Sequence, residues 1–122
     1  MAHVLALIPD LMFGSRVQSA MTQAGHEIEL AATRECAEER LSSADVLIVD
    51  LTDERIGGPE LVEAIIAGSS RDRSKPRTLG FYSHVDVETR ERALRAGFDL
   101  VIPRSRMARE GGELVTRLAA RG

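Results

Sequence analysis

Ala44-Asp45-Val46-Leu47-Ile48-Val49-Asp50 decides how the rest of the chain is read. Four consecutive apolar residues, Val46 to Val49, read as a strand buried on both faces. Asp50 follows at once, so the strand delivers a carboxylate to its own C-terminal edge. Ligands and chemistry gather at that edge in open α/β sheets, which makes Asp50 a candidate site. Thr52, Asp53, Glu54, Gly57, Gly58 and Pro59 follow as a loop leading into a helix.

On either side, apolar runs alternate with helical patterns. Residues 4–8 predict a first strand, ended by Pro9 and Asp10. Val17, Ala20, Met21 and Ala24 mark one face of a helix closed at Gly25. Residues 28–32 are half polar and suit a sheet edge, and Thr33 caps a short helix carrying Ala37, Leu41 and Ala44. Beyond the central strand, Leu61, Val62, Ile65 and Ile66 stripe a helix entered through Pro59. Residues 68–77 read as a polar, basic loop and residues 78–82 as a fourth strand. Asp86 caps a helix that stops at Gly97, residues 100–102 form a fifth strand, and a last helix starts near Gly112 and carries Leu114, Val115, Leu118 and Ala119.

Strands alternating with helices predict a parallel sheet covered on both faces. The expected fold is a flavodoxin-like (βα)5 three-layer sandwich with strand order 2-1-3-4-5, one domain over residues 1–122. That order sets the first and third strands side by side and gathers Asp10, Asp50 and Ser83 around one pocket. Capping of the first helix is the favoured role of Asp10, with Ser15 and Gln18 a competing capping box.

Composition narrows the function. Aromatic residues are 3% of the 122 and Trp is absent, which argues against base-stacking nucleic-acid modules. No apolar stretch approaches a membrane span, and the start lacks the pattern of a signal peptide. A single cysteine, Cys36, forms neither an internal disulfide nor a zinc site, so a reducing cytoplasm is expected. Charge is unevenly spread: residues 1–70 carry 4 basic and 12 acidic side chains, whereas residues 71–122 carry 12 basic and 7 acidic. The late basic half reads either as a solvated surface or as a face that meets an acidic partner. His84 beside Ser83 does not amount to a Ser–His–Asp hydrolase, since no nucleophile elbow is present.

At this point the chain resembles a response-regulator receiver domain of two-component signalling, and the resemblance covers nearly all of it. Asp45-Val-Leu-Ile-Val-Asp50 resembles the strand that presents the phosphoacceptor aspartate, and Gly58 falls where the family places a glycine before its third helix. Ser83, ending Leu79-Gly80-Phe81-Tyr82-Ser83, resembles the Ser or Thr that binds the phosphoryl group. Arg95-Ala96-Gly97-Phe98-Asp99 resembles the segment that precedes the fifth strand.

The departures shape what the resemblance implies. Ile8 and Pro9 stand where receivers carry the acidic pair that holds Mg²⁺, leaving Asp10 one step late. Arg104 stands for the phosphoryl-binding lysine, and Val101 for the switch aromatic. Asp50 is thus the phosphoacceptor candidate, Ser83 and Arg104 the phosphoryl-binding candidates, and Asp10 with Asp50 the candidate Mg²⁺ ligands. The resemblance implies an atypical receiver, a non-enzymatic phosphorelay-type module working by protein contact, with phosphorylation at Asp50 reduced or lost. Its partner would be a histidine kinase or a downstream effector, met through the helix 4, strand 5 and helix 5 face carrying Arg90, Arg95, Arg106 and Arg109. That face also serves for a homodimer. The alternatives are a working Mg²⁺-dependent phosphoacceptor using Asp50 with Asp10, and a small-molecule binder whose ligand fills the pocket opened by Ile8 and Pro9. DNA binding ranks last, since no helix-turn-helix accompanies the domain.

Overall fold

A computed structural model describes residues 2–68, 75–83 and 85–120. Five strands and five helices alternate: β1 (His3–Leu7), α1 (Leu11–Gln23), β2 (Glu27–Ala31), α2 (Arg34–Arg40), β3 (Val46–Asp50), α3 (Gly58–Gly68), β4 (Arg77–Tyr82), α4 (Val87–Ala96), β5 (Leu100–Pro103) and α5 (Arg104–Ala120). All strand pairs are parallel, in the order β2-β1-β3-β4-β5. This is the flavodoxin-like arrangement expected from the alternation.

Burial explains the central run. Every residue of β3 is buried, because successive side chains point to opposite faces and both faces are covered. Val46 and Ile48 pack with Phe13, Val17 and Met21 of α1 and with Met107, Val115 and Leu118 of α5. Leu47 and Val49 pack on the other side with Ala37 of α2, Leu61 and Val62 of α3, and Ala93 of α4. Edge strand β2 alternates between exposed and half-buried positions up to Ala31, as its half-polar sequence predicts.

Most element ends follow local chemistry. Asp10, Thr33 and Asp86 cap α1, α2 and α4 through their side-chain oxygens, each satisfying amides that a helix start leaves without partners. The Ser15–Gln18 capping box does not form, since α1 is already under way at Leu11. The second helix ends at Arg40, with a 3₁₀ turn over Leu41–Ser43, so Ala44 lies outside it. Arg77 opens β4 rather than closing the preceding loop; residues 69–74 of that loop, and His84, lie outside the described residues.

The largest correction concerns the last helix, which begins at Arg104 and not near Gly112. Its first half is polar and contains two glycines, which reads as a helix start. Packing supplies the reason for both. A Cβ on Gly112 would sit 2.9 Å from the carbonyl oxygen of Ala20 and 2.9 Å from the Cβ of Ala24. The missing side chain is what lets α5 lie against α1. A buried histidine fastens the same contact: His26 Nδ1 accepts from the Ala2 amide (3.1 Å), and Nε2 pairs with Thr116 Oγ1 of α5 (2.8 Å). Thr116 donates its hydroxyl proton to the Gly112 carbonyl, so His26 is the donor in the second bond.

Candidate functional site

The strand order places the ends of β1 and β3 side by side, with β4 beyond. Chain direction across the sheet changes between β1 and β3, which opens a crevice at their C-terminal edge. Asp50, paired in register with Phe81, is delivered there by β3. Asp10 follows β1, Ser83 follows β4, and Arg104 follows β5 as the first residue of α5.

Asp50 is 4% exposed. Its Oδ1 accepts two hydrogen bonds from Thr52, from the amide at 2.8 Å and the hydroxyl at 2.5 Å. Oδ2 has no partner among the described residues, and no fully buried side-chain oxygen there lacks one, so Oδ2 keeps contact with solvent. Burial pushes the Asp50 carboxyl above the ordinary carboxylate range; the Thr52 hydrogen bonds and the Arg104 charge oppose that shift without cancelling it, and the Asp53 charge adds to it.

Asp10 is arranged differently. Its Oδ1 accepts from the amides of Met12 (2.9 Å) and Phe13 (3.2 Å), and its Oδ2 accepts from Arg104 Nη2 at 3.2 Å. The Phe13 amide, then that of Met12 and the Arg104 guanidinium, hold its carboxyl below the usual range. Arg104 is itself fixed from beneath, its Cζ lying 4.3 Å from the centroid of the Phe13 ring. Phe13 in turn packs on Phe81 of β4, with centroids 5.0 Å apart.

The single pocket expected for Asp10, Asp50 and Ser83 is divided. Asp10 and Asp50 line one depression of 530 Å³, together with Thr52, Asp53, Arg55 and Asp86. Ser83 and Arg104 line a neighbouring depression of 450 Å³ with Phe13, Arg16 and Ser105. Thr52 stands in the wall of both. The switch-aromatic position is held by Val101, which is buried against the α2–α4 face of the sheet.

The first depression is a poor fit for Mg²⁺, which demands several oxygen ligands in near-octahedral order. Ile8 is buried apolar and Pro9 has no polar side chain. Both oxygens of Asp10 are taken by the α1 cap and Arg104. Asp53 is occupied by Arg55, and Asp86 by the α4 cap. Among the described residues no three His, Cys, Asp or Glu side chains group to hold a metal ion.

Three contributors were not singled out from the sequence. Thr52 is visible afterwards as an aspartate followed two residues later by a hydroxyl, which favours a local side-chain turn. Phe13 and Arg16 lie one helical turn apart on α1, but nothing local joins either to Arg104. Of the four arginines expected on the α4–β5–α5 face, Arg106 pairs with Glu110 along α5. Arg90, Arg95 and Arg109 are exposed and form no ion pair among the described residues.

No family model matches the chain, and no curated protein does. Solved structures do. The receiver domain of the TMAO respiratory system response regulator TorR superposes with a TM-score of 0.85 at 21% identity, covering 99% of this chain and 98% of that one. The chemotaxis response regulator CheY4 of Vibrio cholerae gives 0.78 at 22% identity, over 97% and 98%. The receiver domain of a Pseudomonas aeruginosa sensor histidine kinase, solved with a magnesium ion in its active-site cleft, gives 0.80 at 13% identity, over 98% of each. By its architecture, the chain has the fold of response-regulator receiver domains over nearly its whole length.

Proposed function

We propose that residues 1–122 form one receiver-type signalling domain that acts through protein contact, with Mg²⁺-dependent phosphorylation of Asp50 reduced or lost. The fold supports the receiver part of this reading. One observation carries the rest: the only carboxylate next to the missing acidic pair, Asp10, has both oxygens engaged, one in a helix cap and one on Arg104. Phosphoryl transfer to a carboxylate rests on positioning and charge neutralisation, and the Arg104 guanidinium here occupies an Asp10 oxygen that a metal ion would need.

In this reading the module is not an enzyme and works in the cytoplasm. No described helix is long and apolar enough to cross a membrane. Its partner is a histidine kinase or downstream effector that meets Arg90, Arg95, Arg106 and Arg109. Val101 in place of an aromatic fits the loss of the ordinary switch, since a valine cannot swing a ring between buried and exposed positions.

A second reading, a working phosphoacceptor, draws on Asp50 Oδ2, which stays open to the depression that Asp10 lines. It requires Arg104 to release Asp10. Amide NMR spectra with and without beryllofluoride and Mg²⁺, repeated on Asp50→Asn, separate the two. The contact reading expects unchanged signals at Thr52, Ser83 and Arg104. Shifts at those residues that vanish in the variant would establish the phosphoacceptor and sink the proposal.

A further inference from the structure

We propose that an acidic trough along the groove between α3 and α4, reaching Asp50 at one end, docks a protein partner through a segment that presents basic side chains among apolar ones. Two hollows make up the trough. One lies between α3 and α4 and measures 570 Å³; the other is the depression that Asp10 and Asp50 line, and Leu51, Asp53 and Glu54 stand in the wall of both. Eight carboxylates line the pair against three guanidinium groups. Internal pairing takes up part of that charge. Arg55 holds Asp53, Arg104 holds Asp10, and Arg92 reaches from α4 to Glu60 and Glu63 of α3. Asp50, Glu54, Asp86, Glu88 and Glu91 form no ion pair among the described residues.

Two further observations point to an occupant. Asp50 is 4% exposed, its Oδ1 is bonded to Thr52, and its Oδ2 opens into the trough with no donor from its own chain among the described residues. A carboxylate oxygen held in that position is a seat for a donor from outside. Apolar side chains also crowd the same rim. Leu11 and Met12 follow Asp10, Val85 and Val87 flank Asp86, and all four are more than half exposed. Large apolar groups left open around a charged hollow mark a surface that another protein covers. A free cation would leave them wet, and a nucleic acid carries the wrong charge. Leu51 and Pro59 give the groove apolar lining of its own. Arg95, exposed and without an ion pair among the described residues, stands in the wall on the last turn of α4 and marks where the basic stretch must end.

The inference rests on the reading that the domain works by protein contact, and it adds to the arginine face a second surface of opposite charge. The test is amide NMR on the full chain, in EDTA, during titration with a synthetic peptide of alternating lysine and leucine. Saturable shifts are expected at Leu51, Glu54, Thr89 and Glu91, with a dissociation constant below about a millimolar. The double variant Glu88→Gln, Glu91→Gln should bind about fivefold more weakly, and Asp50→Asn about tenfold more weakly. The double variant Glu35→Gln, Glu39→Gln, which removes the same charge from α2, should bind as the wild type does. These four glutamates are exposed, and superimposable spectra of the free variants check that the fold is intact. A peptide of alternating lysine and serine isolates the apolar share and should bind at least about fivefold more weakly. Equal affinity for the two peptides would reduce the trough to a trap for cations and overturn the docking site. Linear shifts, affinity unmoved in the α4 double variant or in Asp50→Asn, or equal weakening in the α2 double variant would overturn it as well. Beryllofluoride with Mg²⁺ reports on phosphorylation of Asp50 and the peptide in EDTA on the trough, so either idea can fail alone.

Discussion

At the scale of single residues, Asp50 and Asp10 are carboxylates in opposite circumstances. Burial raises the Asp50 pKa above that of the unfolded chain. Between the two values the folded state holds more protons than the unfolded state, so stability falls as pH rises through that interval. Below the unfolded pKa the penalty is absent. Asp50→Asn removes the buried charge while its Oδ1 can still accept from Thr52. The variant should therefore melt higher than the wild type at pH 7, with the difference shrinking as pH falls to about 3. Thermal melts across that range check it, and a difference independent of pH would show that charge burial is not the cause. Asp10 is a cap before it is anything else. Asp10→Ala should cost about 1 kcal/mol and Asp10→Asn almost nothing, since Asn caps as well. Urea unfolding of the pair separates the cap from the Arg104 ion pair. Both of its members are nearly half exposed, and such a pair contributes about 0–1 kcal/mol.

At the scale of elements, the α1–α5 contact turns on two adjacent glycines that should differ in their response to alanine. At Gly112 a Cβ meets the Ala20 carbonyl and the Ala24 Cβ, neither of which can move without moving α1. At Gly111 the nearest atoms are the terminal methyls of Met107 and Met21, at 2.7 and 3.3 Å, and these can swing aside. Alanine gains about 1 kcal/mol of helix propensity over glycine at either position. Gly112→Ala is expected to destabilise by about 1–3 kcal/mol despite that gain, and Gly111→Ala to fall within about 1 kcal/mol of wild type. Equilibrium unfolding of both decides it. Equal losses would mean that methionine packing, not backbone proximity, sets the distance between the helices.

For the molecule as a whole, protection from solvent should follow the sheet inward. Strand β3 is buried at every position and flanked on both sides, whereas β2 is an edge strand with alternate residues exposed. Native-state amide exchange should be slowest in β3, at the global unfolding free energy, and faster in β2 and α2 through local opening. Uniform rates would contradict that gradient. The same inward logic explains what could be read from the chain. Apolar runs bounded by turn residues reveal β3 and its neighbours, because a strand covered on both faces must be apolar throughout. Asp10, Thr33 and Asp86 were legible as caps because a cap bonds to amides within three residues. The position of Asp50 followed from the strand that carries it. The start of α5 was hidden, since its glycines answer to α1 rather than to helix propensity. The engagement of Asp10 by Arg104 was hidden too, as 94 residues separate the partners. The sequence by itself determined the alternation of elements, the sheet order and the residue at the end of the central strand, because these rest on local periodicity and chain connectivity. Only the tertiary structure decided that Asp10 is occupied, that Arg104 lies on Phe13 and that one expected pocket is two, because side chains distant in sequence meet only where the completed sheet sets their strand ends side by side.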